Sequence, residues 1–403
     1  MAATLDRVQP DTRHALTLAL ASLGFVSLGL PEGMLGVAWP SIRASFHLPL
    51  EALGVLIASF AAGYFVSSAV SGRVIGRLGI GTLLAVSCGL TGTCLIGYAL
   101  APSWSTMVAL AAFLGVGAGT IDSGLNTYAA VAHGPRTLNW MHAAFGLGAA
   151  VGPLIMTAIL SSGLAWNAGY AVVAVAQLGL AAGYWLTRRQ FAGRAADHRV
   201  RAEPRLPSRS SSSLLRSPLL WLGLALFFVY CGMEAGTGQW SFSLFTLSRE
   251  MPAALAGALV SAYWASLTLG RVVFGALVPK ISSERLLRGC MLLCILAAGL
   301  LWANIPVVSW LALAVMGLAF APIFPILIAE TPARLGHAQA ANAIGLQVAA
   351  AVAGGAALPA LLGVLAARVS LEVLCPALFV AGVAQLVLHE VLTRRTPAAA
   401  LVR

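Results

Sequence analysis

Charge is what this sequence has least of. Only 9% of its 403 residues are Asp, Glu, Lys or Arg, against about 25% in soluble globular proteins. A water-facing surface cannot be built from so few, so a soluble enzyme or binding domain is excluded. Lysine is nearly missing, with Lys280 the single example among 24 basic residues. The six cysteines, Cys88, Cys94, Cys231, Cys290, Cys294 and Cys375, show no C-x-x-C spacing and all fall in apolar stretches. That excludes a disulfide framework and a zinc site, and leaves small packing residues. No Gly-rich loop is followed by Lys-Ser/Thr, so no nucleotide-driven pump is expected. No Ser-His pairing or metal-ligand cluster appears, so no enzyme, cofactor or metal is expected either. Met1 to His14 is polar with two acids, and no A-x-A site closes the first apolar run, so a cleavable signal peptide is not expected.

What is there is hydrophobic sequence, 59% of the chain. A bilayer core about 30 Å thick needs about 20 apolar helical residues to cross it. Runs of that kind lie near 15–40, 51–72, 80–101, 104–131, 138–163, 166–187, 218–247, 252–278, 286–304, 306–330, 338–367 and 370–392. The expectation is an all-α membrane protein of twelve transmembrane helices. A basic, Ser-rich segment, 188–217, separates an N-terminal six-helix half (1–187) from a C-terminal one (218–403).

The formal charge of +11 could suggest a nucleic-acid partner, but the cations are sorted by topology. Under the twelve-span reading only Arg43, Arg249 and Arg368 fall on one side. The others occupy the two tails, the central segment and the loops of the other side, which the positive-inside bias assigns to the cytoplasm. Both termini are therefore expected to be cytoplasmic, with the cations meeting anionic lipid and no nucleic acid. Arg-rich, Lys-poor usage points to a GC-rich bacterium, hence its inner membrane.

The two halves repeat one another. Gly72-Arg73-Val74 ends the second span and Gly270-Arg271-Val272 the eighth, offset by 198 residues. PEGMLGVAW in the first span, with Glu32 and Trp39, is echoed by MEAGTGQW in the seventh, with Glu234 and Trp240. Asn139 opens the fifth span and Asn342 the eleventh, and each precedes a Gly-rich patch and a proline, Pro153 or Pro359.

This duplication, with its repeated G-R motif, resembles the major facilitator superfamily across the whole chain. Within it, GTIDSGLNTY followed by PRTLNWMHAAFG is similar to the fucose/galactose/glucose proton symporter branch. The resemblance implies two pseudo-symmetric six-helix halves, a midplane site, and spans 1, 4, 7 and 10 lining a cavity. Each of those spans carries one acid: Glu32, Asp122, Glu234 and Glu330. The acids are exchanged in type relative to that branch. Gly148 to Pro153 also resembles the core of the span-five motif of proton-coupled antiporters, so export of drugs or metabolites stands beside import of a sugar.

An acid at membrane depth costs about 2.5 to 3.5 kcal/mol on insertion scales, so it is expected to serve a pathway. Glu32, Asp122 and Glu234 are the proton-coupling candidates, with His142 as relay; a structural hydrogen bond is the other reading for each. The glycines around Glu234 suggest a locally unwound helix. Asp122, Asn126, Asn139, Gln239, Asn342 and Gln347 could bind solute hydroxyls, with Trp39 and Trp240 as stacking faces. Arg73, Arg77 and Arg271, with Glu330 and Arg334, are expected to gate the cytoplasmic side, and Arg271 is a candidate partner of Glu330. The partners expected are a small solute and protons, handled by a monomer in a lipid bilayer.

Overall fold

The computed structural model describes residues 12–132, 135–199, 214–277 and 282–396. The described residues form helices α1 (Thr12–Ser45), α2 (Ala52–Leu78), α3 (Ile80–Ala99), α4 (Trp104–Ala132), α5 (Pro135–Ser161) and α6 (Trp166–Arg199). The second half contributes α7 (Pro218–Ser243), α8 (Ala253–Leu277), α9 (Ser283–Trp302), α10 (Pro306–Phe320), α11 (Ile323–Leu335), α12 (His337–Arg368) and α13 (Leu374–Arg395). Eleven spans are long and apolar enough to cross a bilayer, α10 and α11 counting as one, and Ala52–Ser68 of α2 is a shorter apolar stretch. The all-α architecture is thus the expected one.

Local chemistry sets where these helices differ from the apolar runs. The tenth crossing is broken after Phe320, where Pro322 has no N–H to continue the ladder and starts a new helix instead. The second crossing continues past its apolar stretch, so Arg73 and Arg77 stand on α2 and not in a loop. The turn into α3 is Gly79 alone, at φ +76°, a conformation that costs glycine little. The sixth crossing likewise runs on through Arg188 to Arg199. The glycines around Glu234 do not unwind α7, which is helical to Ser243 and continues into a π-helical turn, Leu244–Ser248. They admit neighbours instead: Gly232 abuts Leu358 and Gly354, and Gly236 abuts Leu362.

Packing repeats between the halves. In the first, α1 packs on α5, α2 on α4 and α3 on α6. In the second, the equivalent pairs are α7 on α12, α8 on α10 and α9 on α13. In α1 with α5 the close approach runs over two turns. Gly29 and Gly33 lie against the backbone of Phe145 and Ala149, while Gly148 and Gly152 lie against Val26 and Leu30. Small residues four apart on both helices bring the two backbones together, as in membrane helix pairs generally. The glycines that resemble the antiporter motif therefore have a packing role in this chain.

The halves meet along α5–α8, α2–α12 and α1–α7. Their meeting points lie from the middle of the helices to the face opposite the two ends of the chain. Gly36 faces the carbonyls of Gly238 and Gln239, Gly54 faces Ala360, and Gly363 faces Trp240 and Glu51. Ser261 donates to the carbonyl of Ala150, and Gly257 abuts Thr157. Gly146, nearer the start of α5, abuts Thr268. Among the described residues the seam is thus shut on one face and parts toward the other.

Candidate functional site

Three polar groups face one another where the seam begins to part. The first belongs to the N-terminal half. Asp122 of α4 accepts a hydrogen bond from the Tyr64 hydroxyl of α2 at 2.8 Å, and its second oxygen accepts one from Asn126 Nδ2 at 3.0 Å. The Asn126 carbonyl faces His142 Nε2 of α5 at 3.2 Å, and the His142 ring lies 5.0 Å from that of Phe25 on α1. The i,i+4 spacing places Asp122 and Asn126 on one face of α4. A phenol, a carboxyl, an amide and an imidazole thus form one chain across three helices.

The second group belongs to the other half. Glu234 of α7 accepts from the Tyr230 hydroxyl one turn earlier, and its other oxygen lies 3.5 Å from Arg271 Nη2 of α8. Tyr263 Oη donates to the Glu234 backbone carbonyl at 2.8 Å, and Tyr230 also reaches the Phe320 carbonyl at the break between α10 and α11. Arg271 therefore sits in the membrane interior. Its partner is Glu234 and not Glu330, because its long side chain reaches back along α8 from six residues before the helix end.

The third is Glu32 of α1. It is exposed although it lies at mid-helix, and its carboxyl has no hydrogen-bond partner among the described residues. It lies within electrostatic reach of Glu234 and Arg271 in the other half and of Tyr64 in its own. Its backbone carbonyl accepts a hydrogen bond from Gln239 Nε2 of α7 at 3.2 Å, which joins the two halves at this residue. Glu32 is the acid that opens onto the space between the halves, while Asp122 and Glu234 are held by partners.

Several expected residues are elsewhere. Trp39 and Trp240 are fully buried, Trp39 against Trp104 and Trp240 with its Nε1–H on the Pro359 carbonyl, so neither offers a free face here. Gln347 accepts from Thr331 at 2.9 Å and ties α12 to α11, and Asn342 is exposed near the start of α12. Glu330 pairs with Arg334 one turn along α11, as expected, but within one helix and not across the halves. Arg77 is exposed on α2. The side chains of Arg73 and Asn139 fall outside the described residues. The tyrosines at 64, 230 and 263 escaped the sequence reading because tyrosine counts as apolar in a hydropathy run; the i,i+4 step from Tyr230 to Glu234 is a signal that was present.

The sequence profile of the Major Facilitator Superfamily matches residues 21–359. The yeast Saccharomyces cerevisiae protein "Bypass of stop codon protein 6" is 23% identical over 386 residues, which is 86% of this chain and 76% of that one. The Bacillus subtilis "Glucose/mannose transporter GlcP" is 22% identical over 312 residues, 75% of this chain and 76% of that one. The crystal structure of a point mutant of the nucleoside transporter NupG superposes with a TM-score of 0.76 at 13% identity, covering 94% of this chain and 99% of that one. That degree of likeness establishes a shared fold.

Proposed function

Because the chain belongs to the Major Facilitator Superfamily, we propose that it moves a small polar solute, a sugar by preference, across the bacterial inner membrane together with protons. The observation that carries this reading is Glu32, an exposed acid without a hydrogen-bond partner among the described residues, set between two halves that close on one face only. With its carboxyl free of protein partners, Glu32 is the acid available to a proton or a solute hydroxyl.

The similarity to a glucose/mannose transporter supports a sugar, as does the density of hydroxyl and amide groups around the cavity. With cytoplasmic termini, this reading takes the open face as the inner one and the state as inward-open. In this scheme Glu32 exchanges the proton, and Asp122 with Asn126 and Asn139 orients the solute. His142 couples α4 to α5, while Glu234 and Arg271 balance charge opposite Glu32. Arg73 and Arg77 act at the inner ends of the halves, with the Glu330–Arg334 pair stabilising α11. The protein works as a monomer.

The test is internal pH in proteoliposomes of the purified protein under an inward solute gradient, scanning hexoses, deoxyhexoses, nucleosides and cationic drugs. Acidification by a hexose or deoxyhexose is the expected result. Absence of any pH change with every solute would overturn proton coupling, and alkalinisation with a drug would mean antiport.

A further inference from the structure

A second set of buried polar groups lies away from the cavity, among α9, α11 and α13. Gln385 and His389 stand four residues apart on one face of α13, and both are completely buried. Neither nitrogen of His389 and neither polar atom of the Gln385 side chain has a hydrogen-bond partner among the described residues. The Thr393 hydroxyl, four residues further along the same face, and Arg334 Nε of α11 are in the same condition. His389 is within electrostatic reach of Arg334, of Glu390 on its own helix, and of Glu284 and Arg288 of α9. Those charges are otherwise engaged: Arg288 binds Glu390 at 2.5 Å and Glu284 at 2.8 Å, and Arg334 binds Glu330 through its Nη2.

Six stranded polar atoms on two helices are too many to leave without partners, since buried polar groups are satisfied in folded proteins as a rule. The chemistry of the six narrows what satisfies them. A neutral imidazole offers one donor and one acceptor, glutamine offers both, threonine offers both, and Arg334 Nε is a donor. An anion would leave the Gln385 oxygen and the acceptor nitrogen of His389 unmet. A metal cation would be repelled by Arg334 and would strand the donors. Water both donates and accepts, and it occupies interiors wherever it can make two to four such bonds.

We propose that the Gln385–His389–Thr393 face of α13 and Arg334 of α11 enclose a bound-water site inside the C-terminal half, distinct from the transport cavity. The site supplies partners to polar atoms of α11 and α13, two helices that both pack on α9. It depends on no assignment of solute or coupling ion.

X-ray radiolytic labelling of the intact wild-type protein in lipid nanodiscs tests this, because hydroxyl radicals formed from internal water label residues that bulk radicals do not reach. His389 should be oxidised at least about tenfold faster, after correction for intrinsic reactivity, than Tyr184, which is equally buried with its hydroxyl on the Leu20 carbonyl. Labelling of His389 at the rate of Tyr184 would overturn the site. The variant Gln385→Leu, with an unchanged elution profile, should slow labelling of His389 severalfold. Undiminished labelling in that variant would place the water elsewhere and overturn the assignment to these residues.

Discussion

Gln239 on α7 reaches across the seam and donates a hydrogen bond to the backbone carbonyl of Glu32 on α1, 3.2 Å away. The closed face is thereby latched at the residue whose carboxyl opens into the cavity. Gln239→Leu removes the latch, a loss of about 0.5 to 1.5 kcal/mol for the one hydrogen bond, since the Glu32 carbonyl keeps its place in the α1 ladder. We expect the variant to favour the state open on the face opposite the chain ends. Labelling of Thr157→Cys, which lies buried in the closed seam against Gly257, by a membrane-impermeant maleimide, faster in the Gln239→Leu background than without it, would show this; equal rates would show that the latch is energetically silent.

Glu32 and Asp122 should respond differently to loss of charge. Glu32 has no partner to satisfy, so Glu32→Gln is expected to keep solute exchange between equal concentrations and lose uptake against a gradient, with uptake no longer varying with pH across the neutral range. Asp122 accepts from Tyr64 and Asn126 together, so Asp122→Asn should impair exchange and uptake alike, by about tenfold for each 1.4 kcal/mol of binding lost. Counterflow of radiolabelled solute in proteoliposomes distinguishes the two patterns.

The closed face can be held by a covalent tie. A Cβ at Gly54 would lie 2.7 Å from the Cβ of Ala360 across the seam, near enough for a disulfide once the helices relax by about 1 Å. The pair Gly54→Cys and Ala360→Cys should abolish transport under oxidising conditions and regain it with reductant. Full activity when oxidised would show that the seam does not part there.

Glycines of one sequence class should behave in opposite ways. Gly152→Val drives a branched side chain into the backbone of α1 at Leu30 and Met34 and should cost about 1 to 3 kcal/mol or more, read as a lower melting temperature and less monodisperse protein. Gly89 on α3 has open space where a Cβ would go, so Gly89→Ala should be neutral or stabilising by about 0.5 to 1 kcal/mol.

At the opposite face Arg249 forms a two-pronged bond with Glu372, at 2.9 and 2.8 Å, and also donates to the Leu301 carbonyl. It fastens the α7–α8 turn to the ends of α9 and α12. Arg249→Ala should lower stability by about 1.5 to 3 kcal/mol without altering proton coupling, as measured by thermal unfolding and by the pH assay in parallel.

How much of this was legible can be told residue by residue. The crossings announced themselves because hydropathy is additive along a run, and the acids because each is costly at depth. Pairings were less legible. The Gly-Arg-Val motif of Arg271 repeats one at the end of the second span and so marks a cation of the cytoplasmic loops, yet helix length, which the charges of that end do not reveal, places it against Glu234. Tyr64 and Tyr230 carry the hydroxyls that hold the acids, and no hydropathy pattern separates them from the phenylalanines beside them. The break at Pro322 lay inside an apolar stretch long enough to pass as one helix.

The interlocked glycines of α1 and α5 have a mechanical consequence. Backbones seated in one another cannot slide without forcing each Cα past the neighbouring carbonyls, so the two helices behave as a single plank. Glu32 rides on one edge of that plank and His142 on the other. Their separation is then a fixed dimension of the transport cycle, and the moving part is the wall that faces them.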